Sequence, residues 1–135
     1  MIAWLQPYEL TVLSIGAMGT LLLLQVLVSD AVSIAGRHPP GTPVAPDHRS
    51  LLFRVHRAHA NTNETLAGFV LLVLFALAAG ADPAWLNGCC AAFVATRVAH
   101  MACYYANWQL MRSVAFGLSL VALGGVLVTG LIGWL

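Results

Sequence analysis

The sequence contains very little charge and no lysine. Only 8% of its 135 residues are charged and 60% are hydrophobic, whereas an ordinary soluble domain has about 25% charged residues. All six basic residues are arginine, and a formal net charge of +1 gives no argument for a nucleic-acid partner. This composition excludes an ordinary soluble domain and predicts a chain that lies in a lipid bilayer.

Cysteine is also scarce. Cys89, Cys90 and Cys103 fall in one predicted helix, and their spacing matches no metal or disulfide pattern. His56 and His59 stand at i and i+3, but no carboxylate or thiol lies at a spacing that completes a ligand set. We therefore predict packing roles for the cysteines and no metal site.

Four long apolar segments fill nearly the whole sequence, and each can cross a bilayer as a helix of about 20 to 25 residues. The predicted helices cover residues 8–34, 50–81, 84–107 and 112–134. The first is too long for a signal peptide and lacks a basic start. Four prolines exclude regular helix from the one substantial loop, residues 36–49. We predict an all-α integral membrane bundle, with residues 1–135 as a single transmembrane domain.

The basic side chains are distributed on one side only. Five of them flank the long loop or the turn before the last helix: Arg37, Arg49, Arg54, Arg57 and Arg112. The termini and the turn at Asp82 carry none, so the positive-inside rule places both termini opposite the cytoplasm. All four tryptophans fall at predicted helix ends, as in an aromatic belt: Trp4, Trp85, Trp108 and Trp134.

A polar stripe begins the second predicted helix. Arg57, Asn61 and Glu64 stand at i, i+4 and i+7 and therefore share one helical face. Five further polar residues fall at the same membrane depth: Arg97, His100 and Tyr104 on the third helix, and Arg112 and Ser113 in the first turn of the fourth. Ionisable residues inside a membrane are functional-site candidates. Arginine forks suit carboxylates, and Glu64 can receive an ammonium, so the set fits a small zwitterionic or anionic ligand.

A purely structural alternative stays open for these residues. Arg57 and Glu64 could pair with Arg97 only to hold helices together. Arg54 could be a topology anchor. Ser113 has no neighbouring base, so a hydrolase triad is not indicated.

The segment from Arg54 to Glu64, with Arg57 and Asn61 inside it, resembles the signature of the MAPEG superfamily, membrane-associated proteins in eicosanoid and glutathione metabolism. The superfamily includes microsomal glutathione transferases and microsomal prostaglandin E synthase. The later residues of the set, Arg97, His100, Tyr104, Arg112 and Ser113, are similar in pattern to the corresponding helices of the prostaglandin synthase.

The resemblance implies four-helix bundles assembled as homotrimers, with glutathione held between subunits near the cytoplasmic side. By position, the glutathione-contacting residues are Arg57, Asn61, Glu64, His100 and Tyr104, with Arg97, Arg54 and Arg37 as further basic contacts or supports. Arg112 matches the arginine that stabilises the glutathione thiolate, and Ser113 its neighbour. A single small bundle also has little interior in which to pair Arg57, Glu64, Arg97 and His100 together, and polar faces shared between subunits meet this pairing requirement better.

Three positions depart from the prostaglandin synthase: Gly68 replaces a proline, Ala60 an arginine, and Phe116 a tyrosine that contacts glutathione. The turn from Ala106 to Met111 is also one residue shorter. Specific eicosanoid synthesis is therefore not implied. The resemblance favours a general glutathione-dependent transferase or peroxidase acting on hydrophobic electrophiles or lipid hydroperoxides, with a thiolate stabilised by Arg112.

Two other classes of function remain as alternatives. One is a non-catalytic lipid-binding or glutathione-binding membrane protein of the same fold. The other is a small transporter or channel subunit. Intact Arg57, Asn61, Glu64 and Arg112 favour the enzyme.

Overall fold

The computed structural model describes residues 3–135, and all regular structure in that range is helical. A short 3₁₀-helix leads into four long helices. The elements are the 3₁₀-helix Ala3–Tyr8, α1 (Glu9–Ala35), α2 (Leu51–Ala78), α3 (Pro83–Tyr105) and α4 (Gln109–Trp134). The prediction of an all-α chain with four long helices is confirmed.

Contacts at the two ends of the bundle fix the helix directions. At one end the Tyr8 hydroxyl donates to the carbonyl of Ala81, 2.7 Å away, so the start of α1 lies beside the turn between α2 and α3. At the other end Arg112 Nη1 lies 3.3 Å from His48 Nδ1, which joins the long loop to the start of α4. Consecutive helices therefore run in alternating directions, and the arginine-rich loop lies opposite both termini.

A left-handed residue ends α2 earlier than predicted. Gly80 adopts a φ of 70°, and the next residue, Ala81, donates its N–H to the carbonyl of Ala76 at 3.0 Å. This hydrogen-bond pattern closes a helix at a glycine. The helix ends at Ala78 instead of residue 81.

The start of α4 also differs from the prediction, and the difference moves two candidate residues. Asn107 takes a φ of 60°, and Trp108 donates its N–H to the carbonyl of Cys103 at 2.8 Å. This compact closure of α3 lets α4 begin at Gln109, three residues before the predicted residue 112. Arg112 therefore lies at the end of the first turn of α4, where its N–H donates to the carbonyl of Trp108 at 3.0 Å, and Ser113 follows this turn.

The apolar core occupies the half of the bundle nearer the termini. Its centre is a stack of Phe69 on Phe93, with ring centroids 4.5 Å apart and planes 9° from parallel. Met18 from α1 and Val126 from α4 are fully buried against the same cluster. The polar candidate residues therefore lie in the opposite half, next to the long loop.

Three of the four helices are long and apolar enough to span a membrane: α1 with the preceding 3₁₀-helix, α2 and α4. The prediction of four such helices is not met by α3, because this helix contains Arg97, His100 and Tyr104. All three side chains are buried inside the bundle. The exposed residues of α3 are all apolar or lack a side chain: Ala84, Trp85, Gly88, Ala92, Ala95, Val98, Ala99 and Ala102. The outer surface of α3 is therefore apolar enough to face lipid or another helix, although α3 as a whole is not apolar enough to count among the membrane-spanning helices.

Gly133, near the C-terminus, packs so closely against the backbone of the turn after α2 that we expect no side chain larger than hydrogen to fit there. A Cβ at Gly133 would lie 2.7 Å from the nitrogen of Ala81 and 2.8 Å from the carbonyl oxygen of Ala79. Gly133→Ala should destabilise the protein by about 1 to 3 kcal/mol, the usual cost of overpacking. The measurement is thermal unfolding in detergent. The matched control is Gly124→Ala on the same helix, where an added Cβ would meet nothing within 4 Å. Equal melting temperatures for the two variants would contradict the expected clash.

Candidate functional site

Arg97 lies at the centre of the polar half of the bundle. Its side chain is fully buried, and its Nη2 donates to Asn61 Oδ1 at 2.9 Å and to Thr62 Oγ1 at 3.1 Å. Its Nε and Nη1 are buried without a hydrogen-bond acceptor among residues 3–135. A buried charge with unsatisfied donors is costly, so this guanidinium favours an additional acceptor such as the carboxylate of a ligand.

The stripe on α2 connects Arg97 to the bundle surface. Arg57 Nη1 donates to Glu64 Oε1 at 3.1 Å, and both side chains remain well exposed, at 42% and 55%. Asn61 Nδ2 lies 3.5 Å from the other oxygen of Glu64, while Asn61 Oδ1 accepts from Arg97. Asn61 therefore bridges an exposed ion pair to a buried cation. Exposed ion pairs contribute little free energy. Arg57 and Glu64 can therefore give up their contact with each other and bind the opposite charges of a ligand instead.

Aromatic rings connect Arg97 to Arg112, the half-buried cation of α4. Phe116 packs 5.8 Å from the Arg97 guanidinium carbon and 5.9 Å from the centroid of the His100 ring. His100 in turn contacts Tyr104 edge to face, with centroids 5.0 Å apart. The Arg112 guanidinium carbon lies 4.4 Å from the centroid of the Tyr104 ring, a cation–π contact. Together with the hydrogen bond from Arg97 to Asn61, these contacts connect polar residues of α2, α3 and α4.

Two predicted residues lie at the margin of this network. The exposed Ser113 hydroxyl donates to the carbonyl of Gln109 at 3.2 Å, which is a bond within its own helix. Arg37 is exposed at the end of α1, with a φ of 51°. Its side chain forms no hydrogen bond within residues 3–135. The structure thus brings together the predicted residues of α2 and α3 with Arg112, but not Ser113 or Arg37.

The long loop contributes a residue that the sequence argument did not include. His48 Nδ1 lies 3.3 Å from Arg112 Nη1, and its ring meets the ring of Phe53 edge to face at 4.9 Å. Arg54 Nη1 donates to the backbone carbonyls of His48, at 2.9 Å, and Arg49, at 2.8 Å. Arg54 therefore fixes the end of the loop. No sequence spacing could indicate His48, because it stands 64 residues before Arg112.

A groove of about 640 Å³ lies beside the site, between the end of α1, the loop and the start of α2. Arg57 and Ala60 line it from α2, so the groove and the polar stripe share one helix. Ser33 and His56 also line it, with Oγ and Nε2 2.9 Å apart. The Ser33 hydroxyl donates to the carbonyl of Ser29 at 2.7 Å, so its single proton is already used. This pair does not form an activated nucleophile.

No group of three or more histidine, cysteine or acidic side chains that could hold a metal ion occurs in the described part of the chain. The donors that the site does present are guanidinium, amide, imidazole and phenol groups, with one carboxylate at its edge. This set matches an organic ligand that carries carboxylates and an ammonium.

One comparison with known proteins gives a match and another gives none. No individual curated protein matches the chain significantly. The profile of the MAPEG family matches residues 10–132, which includes all of the polar network and most of each long helix. Its members are membrane proteins and include glutathione transferases, peroxidases and non-catalytic proteins. Since the match extends over nearly the whole sequence, this chain is an integral membrane protein that belongs to the MAPEG family.

Proposed function

We propose that this protein is a membrane-bound glutathione transferase that conjugates glutathione to hydrophobic electrophiles. One observation carries the proposal. The buried Arg97 has two N–H-bearing nitrogens without an acceptor, at the inner end of a polar stripe that reaches the surface through Asn61 and Glu64. A small anionic or zwitterionic ligand would satisfy the guanidinium from that side.

Glutathione has the matching charges: two carboxylates, one ammonium and one thiol. Arg57 and Arg97 are the cations nearest the stripe and would receive carboxylates. Glu64 would receive the ammonium. His100 and Tyr104 would line the site from α3. Arg112 makes a single side-chain hydrogen bond within residues 3–135, which leaves other N–H groups for the thiolate.

The proposed reaction requires little from the protein beyond positioning and charge. A free thiol has a pKa of about 8.5 and is therefore mostly protonated at neutral pH. A cation beside the thiol stabilises the thiolate and so lowers this pKa. The sulfur then forms a bond to an electrophilic carbon of the acceptor. The leaving group departs with the electron pair of the broken bond, or in an addition the pair stays on the acceptor and takes up a proton. Arg112 would stabilise the thiolate before the attack.

Reduction of lipid hydroperoxides is the related reaction that the same thiolate supports. Two glutathione molecules would supply two electrons and form a disulfide, while the hydroperoxide becomes an alcohol and water. A substrate dissolved in lipid would reach the thiolate from the bilayer in either reaction, because the proposed site lies at the end of the membrane-spanning helices.

We further propose that all four helices cross the membrane, with the long loop on the cytoplasmic side and both termini opposite. The apolar outer surface of α3 supports this arrangement, as does the placement of Arg37, Arg49 and Arg112 at one end. Reporter fusions at the C-terminus test it. A C-terminal reporter active only in the cytoplasm would contradict the topology.

Family membership supports a homotrimer with glutathione between subunits. The half-exposed Arg57–Glu64 pair offers charges that a neighbouring chain can approach. Native mass spectrometry in mild detergent should show three chains. A monomer that keeps full affinity for glutathione would contradict the trimer.

A titration combined with a turnover assay tests the function itself. Purified protein should bind glutathione and also S-methylglutathione, which lacks the acidic thiol, and only glutathione should be conjugated to a hydrophobic electrophile. Binding of both without turnover would identify a non-catalytic binding protein. Absence of binding to either would contradict the proposal, and a flux assay in liposomes would then address a transporter.

A further inference from the structure

We infer that His48 is a positioning residue for Arg112, and that the long loop thereby controls the reactivity of the site. The inference rests on the proposed function for the role of Arg112 as the thiolate-stabilising cation. It rests on the structure for the contact itself, which joins Arg112 Nη1 to His48 Nδ1 at 3.3 Å.

The chemistry of the two groups determines which one donates. A guanidinium has only N–H donors and stays protonated in proteins, so His48 Nδ1 must accept. The imidazole that forms this bond is therefore neutral and carries its proton on Nε2. A protonated ring would offer no lone pair and would place two cations in contact.

Arg112 needs such a restraint because few other groups hold it. It lies one turn inside α4, and the ring of Tyr104 contacts one face of its guanidinium. A cation–π contact restrains the distance of the guanidinium plane from the ring, but it leaves rotation within that plane free. The directional bond to His48 Nδ1 removes this rotation. Together the two contacts define both the plane and the orientation of the donors.

His48 is itself held firmly, which a positioning residue requires. Arg54 binds the backbone carbonyl of His48 and that of the following residue, Arg49. The ring packs edge to face against Phe53. Asp47 Oδ1 accepts the backbone N–H of Arg49 at 2.8 Å, which tightens the same turn.

The groups that contact His48 come from three helices. Arg112 belongs to α4, Tyr104 to α3, and Arg54 with Phe53 to α2. No carboxylate among residues 3–135 forms a hydrogen bond with the His48 ring or with Arg112. The orientation of Arg112 therefore depends on a neutral acceptor supplied by the loop, and loss of that acceptor should affect the reaction more than the binding of glutathione.

Two substitutions of His48 separate the acceptor from the ring. His48→Phe keeps an aromatic ring against Phe53 but removes the acceptor. His48→Asn removes the ring, and its side-chain oxygen can take the place of Nδ1. His38→Phe is the matched control, because His38 lies in the same loop and bonds Thr42 instead of Arg112. Each variant is assayed in detergent for kcat, for the dissociation constant of glutathione, and for the ultraviolet absorbance of the bound thiolate.

We expect His48→Phe to lower kcat by about tenfold or more, the scale of one hydrogen bond to a charged group, and to lower the thiolate absorbance at neutral pH. Glutathione affinity should change by less than about threefold. His48→Asn should recover most of kcat, and His38→Phe should behave as the wild type. Recovery by an acceptor of different shape is a result that a purely structural role of the ring would not give.

Three outcomes would overturn the inference while the proposed function stands: unchanged kcat in His48→Phe, equal losses in His48→Phe and His48→Asn, or higher turnover in His48→Phe. The last would show that His48 covers Arg112 and restrains the reaction. If the wild-type protein neither binds nor conjugates glutathione, the proposed function fails first, and the role assigned to His48 fails with it.

Discussion

Arg112→Ala should lower turnover by about 10² or more while leaving glutathione affinity within a few-fold. This is the scale of losing one preorganised charge donor in an active site. The physical reason is the place of Arg112 at the outer end of the network, where it contacts Tyr104 and His48 but retains free donors. Without this cation the pKa of the bound thiol returns toward its free value of about 8.5. The thiolate absorbance near neutral pH should therefore fall together with kcat.

Two further variants give this experiment its controls. Arg112→Lys should recover only part of the rate, since a point ammonium cannot donate to His48 and to a thiolate with the geometry of a fork. Arg49→Ala removes an exposed arginine at the same end of the bundle and should leave turnover unchanged. If Arg112→Ala turned over normally, Arg112 would be a topology anchor like Arg49, and the catalytic assignment would be wrong.

Helical periodicity predicted the part of the site that lies within single helices. The i, i+4 and i+7 spacing placed Arg57, Asn61 and Glu64 on one face, and in the structure these side chains contact one another. The same rule placed Arg97 with His100 on α3, where both are buried. Local spacing is sufficient here because a helix of known pitch fixes the relative position of its own side chains.

Contacts between elements could not be predicted in the same way. Arg97 meets Asn61 across 36 residues, and Arg112 meets His48 across 64. These pairings depend on the register between helices and on the path of the long loop. Arg54 illustrates the limit: its position suggested a ligand contact or a topology anchor, but it could not indicate the two hydrogen bonds that its guanidinium makes to the loop backbone.

Helix ends were predicted less well than helix faces for a similar reason. The left-handed residues Gly80 and Asn107 end α2 and α3, and such turns depend on single residues instead of a repeated pattern. The consequence is functional as well as structural. The early start of α4 at Gln109 places Arg112 on a formed helix, facing Tyr104.

A trimer was expected partly because a single small bundle has little interior in which to pair Arg57, Glu64, Arg97 and His100 together. In the structure Arg97 and His100 are buried, whereas Arg57 and Glu64 pair with each other at the surface. Thr62 and Asn61 supply acceptors to Arg97, but its Nε and Nη1 and the Nδ1 of His100 have no partner among residues 3–135. The trimer therefore rests on family membership and on the exposed pair of Arg57 and Glu64.

Glu64→Gln should weaken glutathione binding by about 1.5 to 3 kcal/mol, the scale of a hydrogen bond to a charged group, or about one to two decades in dissociation constant. The substitution keeps the volume of the side chain and removes the charge that would receive the ligand ammonium. It also releases Arg57, whose Nη1 lies 3.1 Å from Glu64 Oε1. Calorimetric titration in detergent measures the change, and Glu9→Gln, at the opposite end of the bundle, is the matched control.

A ligand analogue distinguishes the two roles that Glu64 can have in binding. Glutathione lacking its α-amino group cannot pair with a carboxylate through an ammonium. If Glu64 receives the ammonium directly, Glu64→Gln should weaken binding of glutathione strongly and binding of the analogue only slightly, because the interacting pair is already lost. If Glu64 acts by orienting Arg57, both ligands should lose affinity equally, and Arg57→Met should add little to Glu64→Gln. Unchanged affinity for both ligands would limit Glu64 to an exposed ion pair that holds Arg57 on the surface of α2.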